Sequence, residues 1–217
     1  MINNQQEDKT IKIKSLGEVV ADEIRRRIWS KEFNFGDRLI EADLATQMGI
    51  SRSSLREAFQ ILEHEGLIDN VARKGTFIRE FNKKDLDEIK EVRMLIEVPA
   101  VVQTVSTITD KDYEHLERIL DLMKLEIKEE NWYELFDLDM QFHHYLISLS
   151  DNSRIHSIYN VIVVQIRTFL SLLSDYYLDR KEIFYEEHKE LLEAIRSGDK
   201  ELVEKVAIAH IKHVEIQ

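Results

Sequence analysis

The chain has 217 residues, no cysteine, one proline, six glycines and a net charge of −12. That length suits two compact domains, the missing thiols exclude disulfides and thiolate metal sites and fit an intracellular setting, and few breakers among 33% charged residues favour helices. The N-terminal MINNQQEDKTIKIKSL lacks the apolar run of a signal peptide, and nowhere do about 18 apolar residues run together as a membrane span requires, so a soluble cytoplasmic protein without a membrane partner is expected.

Charge is unevenly spread. Residues 9–79 hold 13 Lys and Arg against 11 Asp and Glu, whereas residues 81–217 hold 17 against 28. Such an asymmetry suits a nucleic-acid reader joined to an acidic module.

Residues 1–8 read as a polar, disordered tail. Residues 15–30 then carry Leu16, Val19, Val20, Ile24 and Ile28 on one helical face. The loop KEFNFGDRL leads to a short helix over 41–48, and Gly49 supplies a turn where positive φ is easy. Ser51 reads as the N-cap of a helix over 52–65 that buries Leu55, Ala58, Phe59 and Leu62 and stops at Gly66. Two β-prone segments, LIDNV and TFIRE, flank ARKG and read as a hairpin with glycine in its turn, a wing.

A short helix, a turn and a second helix opening on Ser-Arg-Ser-Ser can place an exposed first turn in a major groove. Arg52 and Arg56 lie four apart on one face, with forks suited to guanine edges or phosphates, while Ser51, Ser53 and Ser54 offer hydroxyls. The bland alternatives are an ion pair of Arg56 with Glu57 or Glu63, and serines that only cap.

The run GDRLIEADLATQMGISRSSLREAFQILEHEGLIDNVARKGTFIRE resembles the winged helix-turn-helix of the GntR family of bacterial regulators. The resemblance covers nearly all of residues 15–79 and is most specific at GISRSSLREAFQILEHEGLI. It implies Arg52 and Arg56 as the main base and phosphate readers, Arg38 as a phosphate contact, and Lys74 and Gly75 as the wing tip in the minor groove. Phe33, Asn34 and Phe35 replace the family's usual proline pair, and Ala42 stands where fatty-acid-responsive members have an arginine. The reader domain is assigned to residues 9–80.

Residues 83–217 divide into six predicted helices, over 84–106, 110–130, 132–149, 153–178, 181–197 and 199–216, with Pro99 inside the first. Their number and order are similar to the FCD sensor domain of the FadR subfamily in its six-helix, VanR-like form. The expected fold is therefore mainly α, a winged helix-turn-helix followed by a helical bundle.

Within the apolar stripes of that bundle, Asp139 and His143 continue the face of Phe136 and Ile147. His188 sits among Phe184, Leu191 and Ile195, and His210 among Val203, Val206 and Ala207. A carboxylate with three imidazoles is a reasonable set for Zn²⁺, Ni²⁺, Mn²⁺ or Fe²⁺, while the plain alternative is four satisfied core residues. DMQFHHYL, the histidine of YEEHKELLEAI and AHIKH also match the Asp, His, His, His pattern of metal-binding FCD domains. Arg93 is a candidate anchor for an effector carboxylate, with an ion pair to Glu97 as the alternative. Asn152 matches a polar position near the family's pocket and also suits an N-cap.

These readings together predict a ligand-responsive regulator that binds a pseudo-palindromic duplex operator as a homodimer, a repressor released by a small carboxylate. A metal-dependent helical-bundle enzyme is the rival, although the paired Glu-x-x-His motifs of di-iron bundles are missing. A module that uses its helices only to dimerise is the second rival.

Overall fold

The computed structural model describes residues 14–178 and 180–213, so the proposed tail at 1–8 lies outside the described residues. The first domain comprises α1 (Leu16–Trp29), β1 (Arg38–Leu39), α2 (Glu41–Met48), α3 (Arg52–His64), β2 (Ile68–Val71) and β3 (Gly75–Ile78). The second comprises α4 (Lys83–Thr104), α5 (Asp110–Glu129), α6 (Trp132–Ser148), α7 (Ser153–Leu172), α8 (Ser174–Leu178), α9 (Lys181–Ser197) and α10 (Lys200–Lys212).

Local chemistry sets the helix ends. Ser15 caps α1 by accepting from the Glu18 amide at 3.1 Å, while the Glu18 carboxylate accepts from the Ser15 amide at 2.7 Å. Ser51 caps α3 in the same way through the Ser54 amide. Gly49 closes α2 with φ of 64°. The apolar face of α3, with Leu55, Ala58, Phe59 and Leu62 buried, packs on Val20, Ala21, Ile24 and Ile28 of α1. Burying each larger apolar side chain contributes about 1.5–3 kcal/mol.

The wing is a three-stranded antiparallel sheet in the order β1-β3-β2, with Arg38 opposite Phe77 and Val71 opposite Gly75. β1 was not foreseen, because a two-residue strand has no period to read. The hairpin turn also differs from expectation. Its left-handed residue is Arg73, φ 63°, and Gly75 instead opens β3 with φ of 113°.

In the second domain α4 packs against α6, α7, α9 and α10, and α5 against α6 and α9. The single helix expected over 153–178 is two, broken at Leu173. There Ser171 and Ser174 turn their hydroxyls onto the carbonyl oxygens of Thr168 and Ser171, in competition with the helical ladder. Among the described residues α7 is long and apolar enough for a membrane span, with mean hydropathy 1.3. It nevertheless carries a buried arginine, Arg167, and packs on α4, α6 and α1.

The two domains meet along α7. The Trp29 indole N–H donates to Thr168 Oγ1 at 2.9 Å, and Gln165 Nε2 donates to the Glu65 carbonyl oxygen at 3.0 Å. Arg167 is 2% exposed. Its guanidinium lies 4.9 Å from the Trp29 ring and bonds Asp137 Oδ1 at 2.6 Å and the Tyr133 carbonyl oxygen at 2.9 Å, both on α6. Phe81 packs edge-on between Phe35 and Phe169, joining the two cores. A cavity of about 200 Å³ remains beside this joint, lined by Trp29, Trp132, Tyr133 and Phe136 among others.

Candidate nucleic-acid interface and metal centre

Arg52, Ser53 and Arg56 stand exposed on the first turns of α3, where the cap leaves amide groups directed outward. The Ser51 and Ser54 hydroxyls bond each other at 2.9 Å, so they serve first to fix the helix start. Arg56 is paired, though not with Glu57 or Glu63. Its Nε donates to Glu41 Oε2 on α2 at 2.9 Å, and Glu57 instead accepts from the Ser15 hydroxyl at 2.7 Å.

Between α3 and the wing runs a groove of about 470 Å³ lined by Arg38, Glu41, Arg56, Gln60, Asn70, Gly75 and Thr76 among others. The Arg38 guanidinium lies over Phe77, 6.0 Å from the ring centroid, and against Gly75. A Cβ at Gly75 would stand 3.1 Å from Arg38 Nε, and its φ of 113° is one that side chains strain to adopt. Gly75→Ala is therefore expected to displace the Arg38 guanidinium by a few tenths of an ångström and, through the strained φ, to destabilise the wing by about 1–3 kcal/mol. Thermal melting and DNA affinity should fall together; an unchanged affinity would show that Arg38 is not placed by Gly75.

Lys74 is exposed in the wing turn as expected, and the adjacent Arg73 joins it there. Arg73 escaped sequence reasoning because an arginine is an unusual occupant of a left-handed turn.

In the second domain the four proposed ligands converge. α6 sets Asp139 and His143 one turn apart, α9 brings His188 and α10 His210. His188 Nε2 lies 2.8 Å from Asp139 Oδ1, and His210 Nε2 lies 2.9 Å from His143 Nε2. One nitrogen from each imidazole falls within 4.8 Å of the others. His188 Nδ1 lies 2.7 Å from the Phe184 carbonyl oxygen, a contact that needs the proton on Nδ1. Its Nε2 then faces a carboxylate oxygen, a contact that a proton or a metal cation between the two atoms stabilises. Asp139 Oδ2 and His210 Nδ1 are buried with no hydrogen-bond partner among the described residues. The donor set thus fits a divalent metal.

Burial pushes His143 down to about 4 and His210 well below the usual imidazole range, so both are neutral and able to ligate. Burial opposes the charge on Asp139, but its contact with His188 and the nearby Arg93 cation hold its carboxyl below the ordinary value.

Arg93 and Asn152 both take their plainer roles in this arrangement. Arg93 is buried and gives Nε and Nη2 to Glu97 at 2.6 and 3.1 Å, and Glu97 Oε2 lies 3.4 Å from His143 Nδ1. The pair therefore borders the cage. The Asn152 side-chain oxygen accepts from the Arg154 and Ile155 amides as the cap of α7.

Comparison with known proteins places this geometry. Residues 16–78 match the model for bacterial regulatory proteins of the gntR family, and residues 88–213 match that of the FCD domain. The chain is 32% identical over 194 residues to the gluconate operon transcriptional repressor of Bacillus subtilis (strain 168), covering 87% of this chain and 79% of that one. It is 27% identical over 197 residues to the uncharacterized HTH-type transcriptional regulator YdhC of the same strain, covering 88% and 86%. Its fold is similar to the crystal structure of a putative GntR transcriptional regulator from Rhodococcus sp. RHA1, with a TM-score of 0.80, 24% identity and coverage of 92% and 95%.

Proposed function

The chain belongs to the GntR family of bacterial transcriptional regulators and carries its FCD domain, and from that premise we propose that it is a repressor that leaves its operator when a small carboxylate binds beside a metal in the helical domain. It is a ligand-responsive DNA-binding regulator rather than an enzyme, as its family and relatives are. Such a protein works where bacterial DNA lies, in the cytoplasm.

The observation that carries the DNA-reading half is the exposed start of α3, with Arg52 and Arg56 on one face beside the Arg38-lined wing groove. One small reader touches too few base pairs for selectivity, so two copies act together. Selection from a random duplex pool should return a dyad with half-sites about one helical turn apart. Sedimentation of the full chain should give a dimer at micromolar concentration. A pool that yields no enriched sequence would overturn the reading.

The ligand-sensing half rests on the cage. Asp139, His143, His188 and His210 would hold the ion, which supplies an open electrophilic position for a carboxylate oxygen. Asp139 shares α6 with Asp137 and Tyr133, the residues that hold Arg167 against Trp29 of the reader. A ligand that binds one arrangement of α6 better than another shifts the readers by that difference in affinity. The gluconate relative's name makes sugar acids a sensible first set of effectors to try.

A further inference from the structure

Tyr159 on α7 is wholly buried, and its hydroxyl has no hydrogen-bond partner among the described residues. A sealed O–H without an acceptor is costly, which marks it as a group that awaits one. α7 packs on α4 and α6, the helices that carry Glu97, Arg93 and Asp139, and the charges of all three act on this buried phenol, which puts it on the cage side of α7. Burial above all holds its pKa well above the ordinary value, and the group is therefore a neutral donor.

Charge bookkeeping then narrows the ligand. The buried Arg93–Glu97 ion pair brings no net charge, Asp139 brings one carboxylate, and coordinating imidazoles bring none. With a divalent ion the buried group carries a single positive charge. One carboxylate cancels it, whereas a second or third would leave uncompensated negative charge out of water.

We propose that Tyr159 is a reading residue for the effector, donating its O–H to an oxygen of a monoanionic carboxylate held at the cage, and that the site selects monocarboxylates over di- and tricarboxylates. This inference rests on the carboxylate-effector reading above. Hydroxylated monocarboxylates suit it well, since they offer further acceptors without further charge.

Calorimetric titration of the zinc-loaded full chain with glycolate, gluconate, malonate and citrate tests the proposal. At least one monocarboxylate should bind about tenfold tighter or more than malonate and citrate. Tyr159→Phe should keep one zinc per chain and the zinc-loaded melting temperature, yet bind that monocarboxylate about tenfold more weakly. Equal affinity in wild type and Tyr159→Phe, or loss of zinc from the variant, overturns the role of Tyr159. A preference for malonate or citrate overturns the charge argument. If zinc-loaded wild type binds none of the four, the effector reading fails, and this inference with it.

Discussion

Arg56→Ala is expected to weaken binding to a selected operator by about 1–3 kcal/mol, the worth of one well-placed bidentate contact. Arg52→Ala should behave alike, since both forks rise from the same face of α3. Removing Arg56 also strips Glu41 of its partner and leaves an exposed carboxylate facing the groove that duplex phosphates would enter. The double variant Glu41→Ala/Arg56→Ala should therefore bind better than Arg56→Ala alone. Glu41→Ala by itself should change affinity little, because exposed ion pairs are worth about 0–1 kcal/mol. Lys74→Ala should weaken all sequences alike and reduce the salt slope by about 1. Gel shifts at one fixed salt concentration separate these outcomes. Wild-type affinity in both arginine variants would remove α3 from the role of reader.

His188→Ala should abolish stoichiometric metal binding, with His143→Ala and His210→Ala close behind. A site filled at a thousand times its dissociation constant contributes about 4 kcal/mol to stability, or a rise of about 8–16 °C in melting temperature for a chain of this size. Chelation should lower the wild-type melting point by that order and leave His188→Ala nearly unmoved. Acid should reinforce the effect. His143 is held at about 4 in the folded protein against an ordinary value of 6.5. Below about 6.5 the unfolded chain takes up a proton that the folded chain refuses, so stability falls from there down to about pH 4. The same protons compete with the metal, and the gain from added metal should shrink as pH drops through that window. Elemental analysis with melting curves in metal and in chelator checks both points. Equal metal content and equal chelator sensitivity in all variants would return these residues to ordinary core polar groups.

The sequence made α3 legible because its signals agree: a serine cap, an apolar face at helical spacing and glycines at Gly49 and Gly66. Asp139 and His143 were legible because polar residues one turn apart on an apolar stripe need a reason. Pairings between distant segments were not. Glu41 reaches Arg56 across the turn, fifteen residues away, and nothing local favours it over Glu57 or Glu63. Arg167 lies in the run VIVVQIRTFL, where a single arginine reads as a surface exception, yet α6 and Trp29 enclose it. Tyr159 escaped for the opposite reason. A tyrosine on a buried face looks like core, and only its unpartnered hydroxyl sets it apart.

The joint between the domains also makes the molecule its own optical reporter. The chain has two tryptophans, and both Trp29 and Trp132 line the same cavity at that joint. Trp29 donates its indole N–H to Thr168 and lies against the Arg167 guanidinium, two contacts that set the colour and yield of its emission. Native fluorescence of the unlabelled protein thus reports on the contact between the two domains. A change in emission on adding metal or a carboxylate would show that this contact responds to the helical domain, before any DNA is present.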